Sequence, residues 1–121
     1  MIEKFEDLKC WQESRVLVKM IYKTTANADL DLDSRRQMRR AALSTMNNIA
    51  EGFGRFSNKE FIRFLEISQS SGREVKSMLY VFLDVNYINK TEFTRLNNQV
   101  EKYLALTVGL IKYLQSKSKK P

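Results

Sequence analysis

The stretch MNNIAEGFGRFSNKEFIRF, residues 46–64, constrains the fold more than any other part of the chain. Met46, Ile49, Ala50 and Phe53 recur at helical spacing and so share one face. Gly52 and Gly54 offer the permissive backbone on which helices end, because positive φ costs glycine nothing in sterics. Ser57 and Glu60 follow as an S-x-x-E capping box: the serine oxygen accepts from the Glu60 amide, and the glutamate reaches back to the Ser57 amide. One amphipathic helix therefore ends, turns and gives way to another within a single helical hairpin.

Interruptions are few elsewhere. The 121 residues include one proline, at the last position, and four glycines, an economy that favours long helices over a many-turned β fold. An apolar content of 43% is too high for disorder and suits one domain spanning residues 1–121. No run of about 18 apolar residues occurs, so no membrane span is expected. The opening MIEKFEDLK mixes charges and lacks the apolar core of a signal peptide. Cys10 is the only cysteine, which excludes an intrachain disulfide and a cysteine metal cluster. A cytoplasmic protein is the reading these features favour.

The first helix is expected from about residue 7 to about 27, with Asp7 as N-cap and Phe5 stapled back onto Trp11. Leu8, Trp11, Val18, Ile21 and Tyr22 form its stripe. A turn-rich segment, residues 24–31, ends it, and Asp33 is expected to cap the second helix. Met38, Ala41, Ala42, Thr45, Met46, Ile49 and Phe53 continue one face there, and small residues such as Ala41, Ala42, Ser44 and Ala50 permit close approach of a neighbour. The third helix, from 58 to about 85, keeps a three-four rhythm from Phe61 to Phe82, interrupted by a small patch at 68–72. Thr91 is expected to cap a fourth helix carrying Phe93, Leu96, Val100, Tyr103, Leu104, Thr107, Leu110, Ile111 and Leu114. From about 115 to 121 the basic tail lacks apolar anchors and is expected to fray. Four such helices with short turns predict an all-α, antiparallel up-down-up-down four-helix bundle.

The net charge of +7 suggests an acidic partner such as nucleic acid, although a basic surface can equally be a solvated one. Arg35, Arg36, Arg39 and Arg40 lie on one side of the second helix, and Arg55, Lys59 and Arg63 follow at the hairpin. Guanidinium groups fit phosphate oxygens bidentately, so these seven are candidate nucleic-acid contacts. The same arginines can instead pair with acids of a neighbouring helix or subunit. No sequence-reading element is present, so binding should be directed at the backbone. Substituting Arg35, Arg36, Arg39 and Arg40 by glutamine is expected to weaken binding without unfolding the bundle.

Asn48, Glu51, Ser71 and Glu74 form a second constellation. Antiparallel packing would set the two pairs at a similar height, where paired carboxylates can do acid-base work or hold a metal. Histidine is absent from the chain, which removes the commonest general base, the commonest zinc ligand and the Glu-x-x-His pairs of metal-binding bundles. A hydrogen-bonded network fixing helix register, closed by Arg73 or Arg55, is the favoured reading, with no metal, no cofactor and no catalysis. Trp11 and the tyrosines at 22, 80, 87, 103 and 113 can stack on bases, but packing is their default role. Cys10 reads as a small buried side chain.

FEDLKCWQESRVLV (residues 5–18), NIAEGFGR (48–55), EFIRFLEIS (60–68) and S-G-R-E (71–74) resemble the S23-type four-helix-bundle family. Its members are encoded in intervening sequences within bacterial 23S ribosomal RNA genes, or are free-standing relatives of those proteins. The resemblance runs from Phe5 to about Leu114, and it is the combination of F-x-D-L-x-x-W with N-I-A-E-G that makes it specific. Relatives often carry a proline shortly before N-I-A-E-G; Ser44, Thr45, Met46 and Asn47 stand there, which implies a straighter second helix. The resemblance implies an antiparallel bundle that assembles as a ring, commonly a pentamer, with no established catalytic activity and no cofactor. A related branch, the accessory protein of diversity-generating retroelements, forms a similar basic pentamer that binds nucleic acid and a reverse transcriptase. By that analogy the chain is expected to be a homopentamer that binds RNA or DNA. The alternative is a protein-interaction scaffold whose charge is incidental.

Overall fold

The structure, a computed structural model, describes residues 2–118. After a 3-10 turn at Phe5–Asp7, four helices follow: α1 Lys9–Thr24, α2 Leu32–Phe53, α3 Asn58–Asp84 and α4 Lys90–Ser118. Each packs on its neighbours in sequence, and α1 closes the set against α4. Among the described residues neither diagonal pair packs directly. This is the expected antiparallel four-helix bundle with a square arrangement of helices.

The helix ends follow local hydrogen-bonding chemistry, in places a residue or two from the expected position. Asp7 does not cap α1. It belongs to the 3-10 turn, and Leu8 stands at the cap position without a side-chain bond. The expected Phe5–Trp11 contact does form, edge to face at 5.2 Å. Asp31, not Asp33, caps α2: its carboxylate accepts from the Ser34 amide at 2.9 Å, while Asp33 sits in the first turn. Ser57 caps α3 as its spacing predicts, accepting from the Glu60 amide at 3.1 Å. At α4 the capping box is formed by Asn89 and Glu92, two residues ahead of the expected Thr91. Asn89 Oδ1 accepts from the Glu92 amide at 2.8 Å, and Glu92 Oε1 accepts from the Asn89 amide at 3.1 Å.

The end of α3 needs no glycine. Asn86 takes the left-handed conformation (φ 62°), the Tyr87 amide donates to the Phe82 carbonyl and the Asn86 amide to the Leu83 carbonyl. This is a Schellman motif, with the Phe82 and Tyr87 rings in contact across it at 5.2 Å. The helix α4 continues to Ser118, into the first part of the expected tail, and Lys117 reaches back one turn over the Tyr113 ring. The rest of the expected tail, residues 119–121, lies outside the described residues.

Gly52 and Gly54 both keep negative φ, so the hairpin does not use glycine for a left-handed turn. Gly52 is needed for space: a Cβ there would stand 2.7 Å from Phe64 Cβ and 2.9 Å from Phe61 Cδ1. At Gly54 the nearest atom would be 3.6 Å away, an ordinary contact. The core follows the predicted stripes on α2, α3 and α4, with Met38, Ile49, Leu65 and Leu79 fully buried. On α1 the buried line is Cys10, Ser14, Leu17 and Ile21, and Tyr22 of the expected stripe is exposed because it faces outward at the α1–α2 seam. No helix of the described residues is long and apolar enough to cross a membrane.

Candidate nucleic-acid interface

The four arginines of α2 divide by function. Arg35 Nε donates to the Thr25 carbonyl at 2.8 Å, and its Nη2 donates to the carbonyls of Asn27 (2.9 Å) and Leu30 (3.4 Å). Arg39 Nε donates to Thr25 Oγ1 at 2.8 Å, its Nη2 donates to the Tyr22 carbonyl at 3.2 Å, and its guanidinium lies 4.3 Å from the Tyr22 ring centroid. The last carbonyls of α1 have no partners within their own helix, and they carry the negative end of its dipole. Arg39 satisfies that of Tyr22, while Arg35 satisfies carbonyls of the cap residue Thr25 and of the connection, and together they tie the α1–α2 connection to α2. Both side chains are half-buried in this brace.

Arg36 and Arg40 face outward and are exposed. With Tyr22, Leu43 and Asn47 they line a shallow open cleft at the α1–α2 seam. From Ser34 to Ala50 the chain carries no acidic residue; the nearest carboxylate on α2 is Asp33, three residues before Arg36, and it forms no ion pair with either arginine. A polyanion meets two free guanidinium groups there, one helical turn apart.

The hairpin cations form a separate group. Roughly 20 Å of helix separates Arg40 from Arg55, at about 1.5 Å of rise per residue. Arg55 pairs with Glu51 at 2.7 Å and lies over the Phe64 ring at 4.7 Å. Arg63 approaches the same ring at 5.1 Å and stands 3.5 Å from Glu60. Lys59 is exposed beside them, as is Phe56, whose whole side chain projects into solvent. Two of the three hairpin cations thus already have acidic partners on their own helix.

The second constellation is rearranged by the register of α2 against α3. Ser71 Oγ donates to Ser44 Oγ at 2.7 Å, and Asn48 Nδ2 donates to the Ser44 carbonyl and to Ser44 Oγ, both at 2.9 Å. Asn48 and Ser71 therefore meet through Ser44. Glu51 and Glu74 do not join them. In antiparallel helices they fall on opposite sides of the Ser44–Ser71 level, roughly 15 Å apart along the axis at about 1.5 Å per residue. Both carboxylates are exposed, and no carboxylate pair forms.

The buried polar network is one that side-chain spacing alone does not reveal. Ser68 Oγ donates to the Thr45 carbonyl at 2.7 Å, and the Tyr103 hydroxyl donates to the Ser68 carbonyl at 2.7 Å while lying against Ser68 Oγ. Burial raises the Tyr103 phenol well above its ordinary pKa. Burial likewise pushes the Cys10 thiol up to about 11, leaving it an inert core group.

A family model described as 23S rRNA-intervening sequence protein matches residues 6–109. The chain belongs to this family. A crystal structure of a protein of unknown function from the S23 ribosomal protein family of Bacteroides thetaiotaomicron is similar at a TM-score of 0.79 and 24% identity, covering 85% of this chain and 98% of that one. That likeness confirms the fold. No curated protein matches the chain. Within the family frame the quoted motifs have visible structural work: Phe5 and Trp11 pin the amino-terminal turn to α1, and Gly52 of N-I-A-E-G admits Phe61 and Phe64 against α2. α2 runs unbroken through Ser44 and Met46.

Proposed function

We propose that the protein is a non-enzymatic, cytoplasmic, homo-oligomeric bundle, a pentamer, that binds RNA or DNA by electrostatic contact with the phosphate backbone. The observation that carries this reading is the exposed pair Arg36 and Arg40 on a stretch of α2 without acidic residues. Arg55, Lys59 and Arg63 are secondary contacts, weakened by the glutamates beside two of them. A pentamer multiplies the +7 of one chain fivefold, which strengthens a field that is modest on a single copy. Membership of a family of proteins encoded within ribosomal RNA genes is consistent with a nucleic-acid partner.

The test is binding of labelled oligonucleotides across a salt series. Affinity should fall linearly in log–log form, and Arg36→Gln with Arg40→Gln should flatten the slope by roughly one per lost phosphate contact. A double variant with unchanged affinity and slope removes these residues from the proposal. A second reading, a protein-interaction scaffold, is favoured by the full exposure of Phe56, an apolar anchor of the kind that seats in a partner's pocket. A particle that retains no nucleic acid at low salt but captures a protein through Phe56 would support it instead.

A further inference from the structure

We infer that Arg15 and Lys19 of α1 complete the basic face, and that the two-helix surface so formed takes double-stranded nucleic acid by the backbones on either side of a groove. The inference rests on the nucleic-acid reading above and specifies its ligand. Tyr22 of α1 lines the cleft that holds Arg36 and Arg40. Lys19 and Arg15 precede Tyr22 by three and seven residues, which places them on the same side of α1. They line a shallow depression with Trp11, Gln12 and Val16, at which Glu6 is the one acidic side chain. No acidic residue occurs between Glu13 and Asp29, and Glu13 itself is turned away to Gln99 and Lys102 of α4, so α1 carries an acid-free run like that of α2 from 34 to 50.

The face therefore presents two rows of cations on adjacent antiparallel helices. Within each row the charges are one turn apart, about 6 Å. Between the rows the spacing is set by helix packing, about 8–10 Å. That span falls between the widths of the two grooves of a duplex, about 6 and 12 Å, and long side chains adjust the remainder.

A single strand is the poorer ligand because this face has no bare aromatic platform. Sites for single strands stack bases on open rings. Here the Arg39 guanidinium lies over one face of the Tyr22 ring at 4.3 Å, leaving the residue 38% exposed, and Trp11 is flanked by Phe5 at 5.2 Å and by Arg15 at 5.7 Å. What is left free is positive charge, which reads phosphates and not bases.

The test uses the full chain and a labelled duplex of about 20 base pairs, with its single strand as competitor, each as DNA and as RNA, over a salt series. The duplex should bind about tenfold more tightly than the single strand in whichever chemistry binds. Arg15→Gln with Lys19→Gln should weaken duplex binding about fivefold and flatten the salt slope by roughly two, as should Arg36→Gln with Arg40→Gln. Because Arg15 touches Trp11, Lys19→Gln alone serves as the second variant, with a slope change of roughly one and an unchanged melting curve. Equal or tighter binding of the single strand overturns the inference, as does a Lys19→Gln protein with the parental slope. Both of those results leave the general nucleic-acid reading standing. Failure of every oligonucleotide to bind overturns that reading and this inference together.

Discussion

A Cβ at Gly72 would stand 2.7 Å from Tyr103 Cε2 and 3.1 Å from Leu104 Cδ2, so the absence of a side chain on α3 is what admits the tyrosine of α4. The Tyr103 ring then reaches Ser68, whose hydroxyl is itself bonded to the Thr45 carbonyl of α2. Three helices are linked through one fully buried hydroxyl cluster. Gly72→Ala should cost about 1–3 kcal/mol by overpacking, and Tyr103→Phe about 1–3 kcal/mol by leaving buried acceptors without a donor. Denaturant melts read both, and a Gly72→Ala protein as stable as the parent would mean that Tyr103 moves aside freely. The same burial gives a pH dependence. Cys10 and Tyr103 both have raised folded-state values, so folding is favoured while they stay protonated. Above the ordinary thiol value of 9.0 the unfolded chain ionises first, and stability is lost as pH rises through about 11, with Tyr103 extending the loss further. Tyr103→Phe should make the alkaline decline shallower, and an equally steep decline in that variant would exclude this tyrosine as its source.

At the scale of the element, α2 carries two kinds of arginine on one helix, and glutamine substitution should separate them. Arg35→Gln with Arg39→Gln removes the donors that hold the α1–α2 connection, from Tyr22 to Leu30. On the order of 2 kcal/mol should be lost, a fall of roughly 5–10 °C in Tm. Arg36→Gln with Arg40→Gln should leave Tm within about 2 °C, since neither residue is seated in the brace, and should act on binding alone. The quadruple substitution therefore mixes a folding effect with a binding effect, contrary to the expectation from spacing. Thermal melts of the two pairs decide it, and equal melting points would show that the brace contributes nothing. The stripes of α2, α3 and α4 were legible in the sequence because burial imposes their period directly; on α1 the small buried side chains Cys10 and Ser14 blur it, and the bulkier Tyr22 proved exposed. The exact caps were less so: Asp31 and Asp33 are equally able acceptors, as are Asn89 and Thr91, and only the path of the incoming chain selects between them. The division of the arginines was hidden for a similar reason, since the connection that folds back under Arg35 and Arg39 has no periodicity to announce it. The α1 row had a readable signal in the acid-free run around Lys19, which draws less notice than a doublet of arginines.

For the whole molecule, the basic rows and an exposed apolar pair lie on different helices. The basic rows sit on α1 and α2. Val81, in the last turn of α3, and Val85, the residue that caps its end, lie four apart on one exposed face, at 55% and 65% exposure. Apolar side chains aligned in this way suit contact between copies better than contact with a phosphate backbone. If the proposed ring forms through this face, light scattering should give five times the 14.2 kDa of one chain. Val81→Glu with Val85→Glu should then reduce the particle to single chains without lowering Tm, because neither side chain is in the core. Dissociation should also weaken nucleic-acid binding by more than the loss of any one contact, about a hundredfold, since a ring holds its other basic faces at high effective concentration once one has bound. A single-chain mass for the parent protein would remove the ring and leave each bundle to bind with its own charge alone. A ring that survives the double substitution would keep the assembly and move its interface to another face of the bundle.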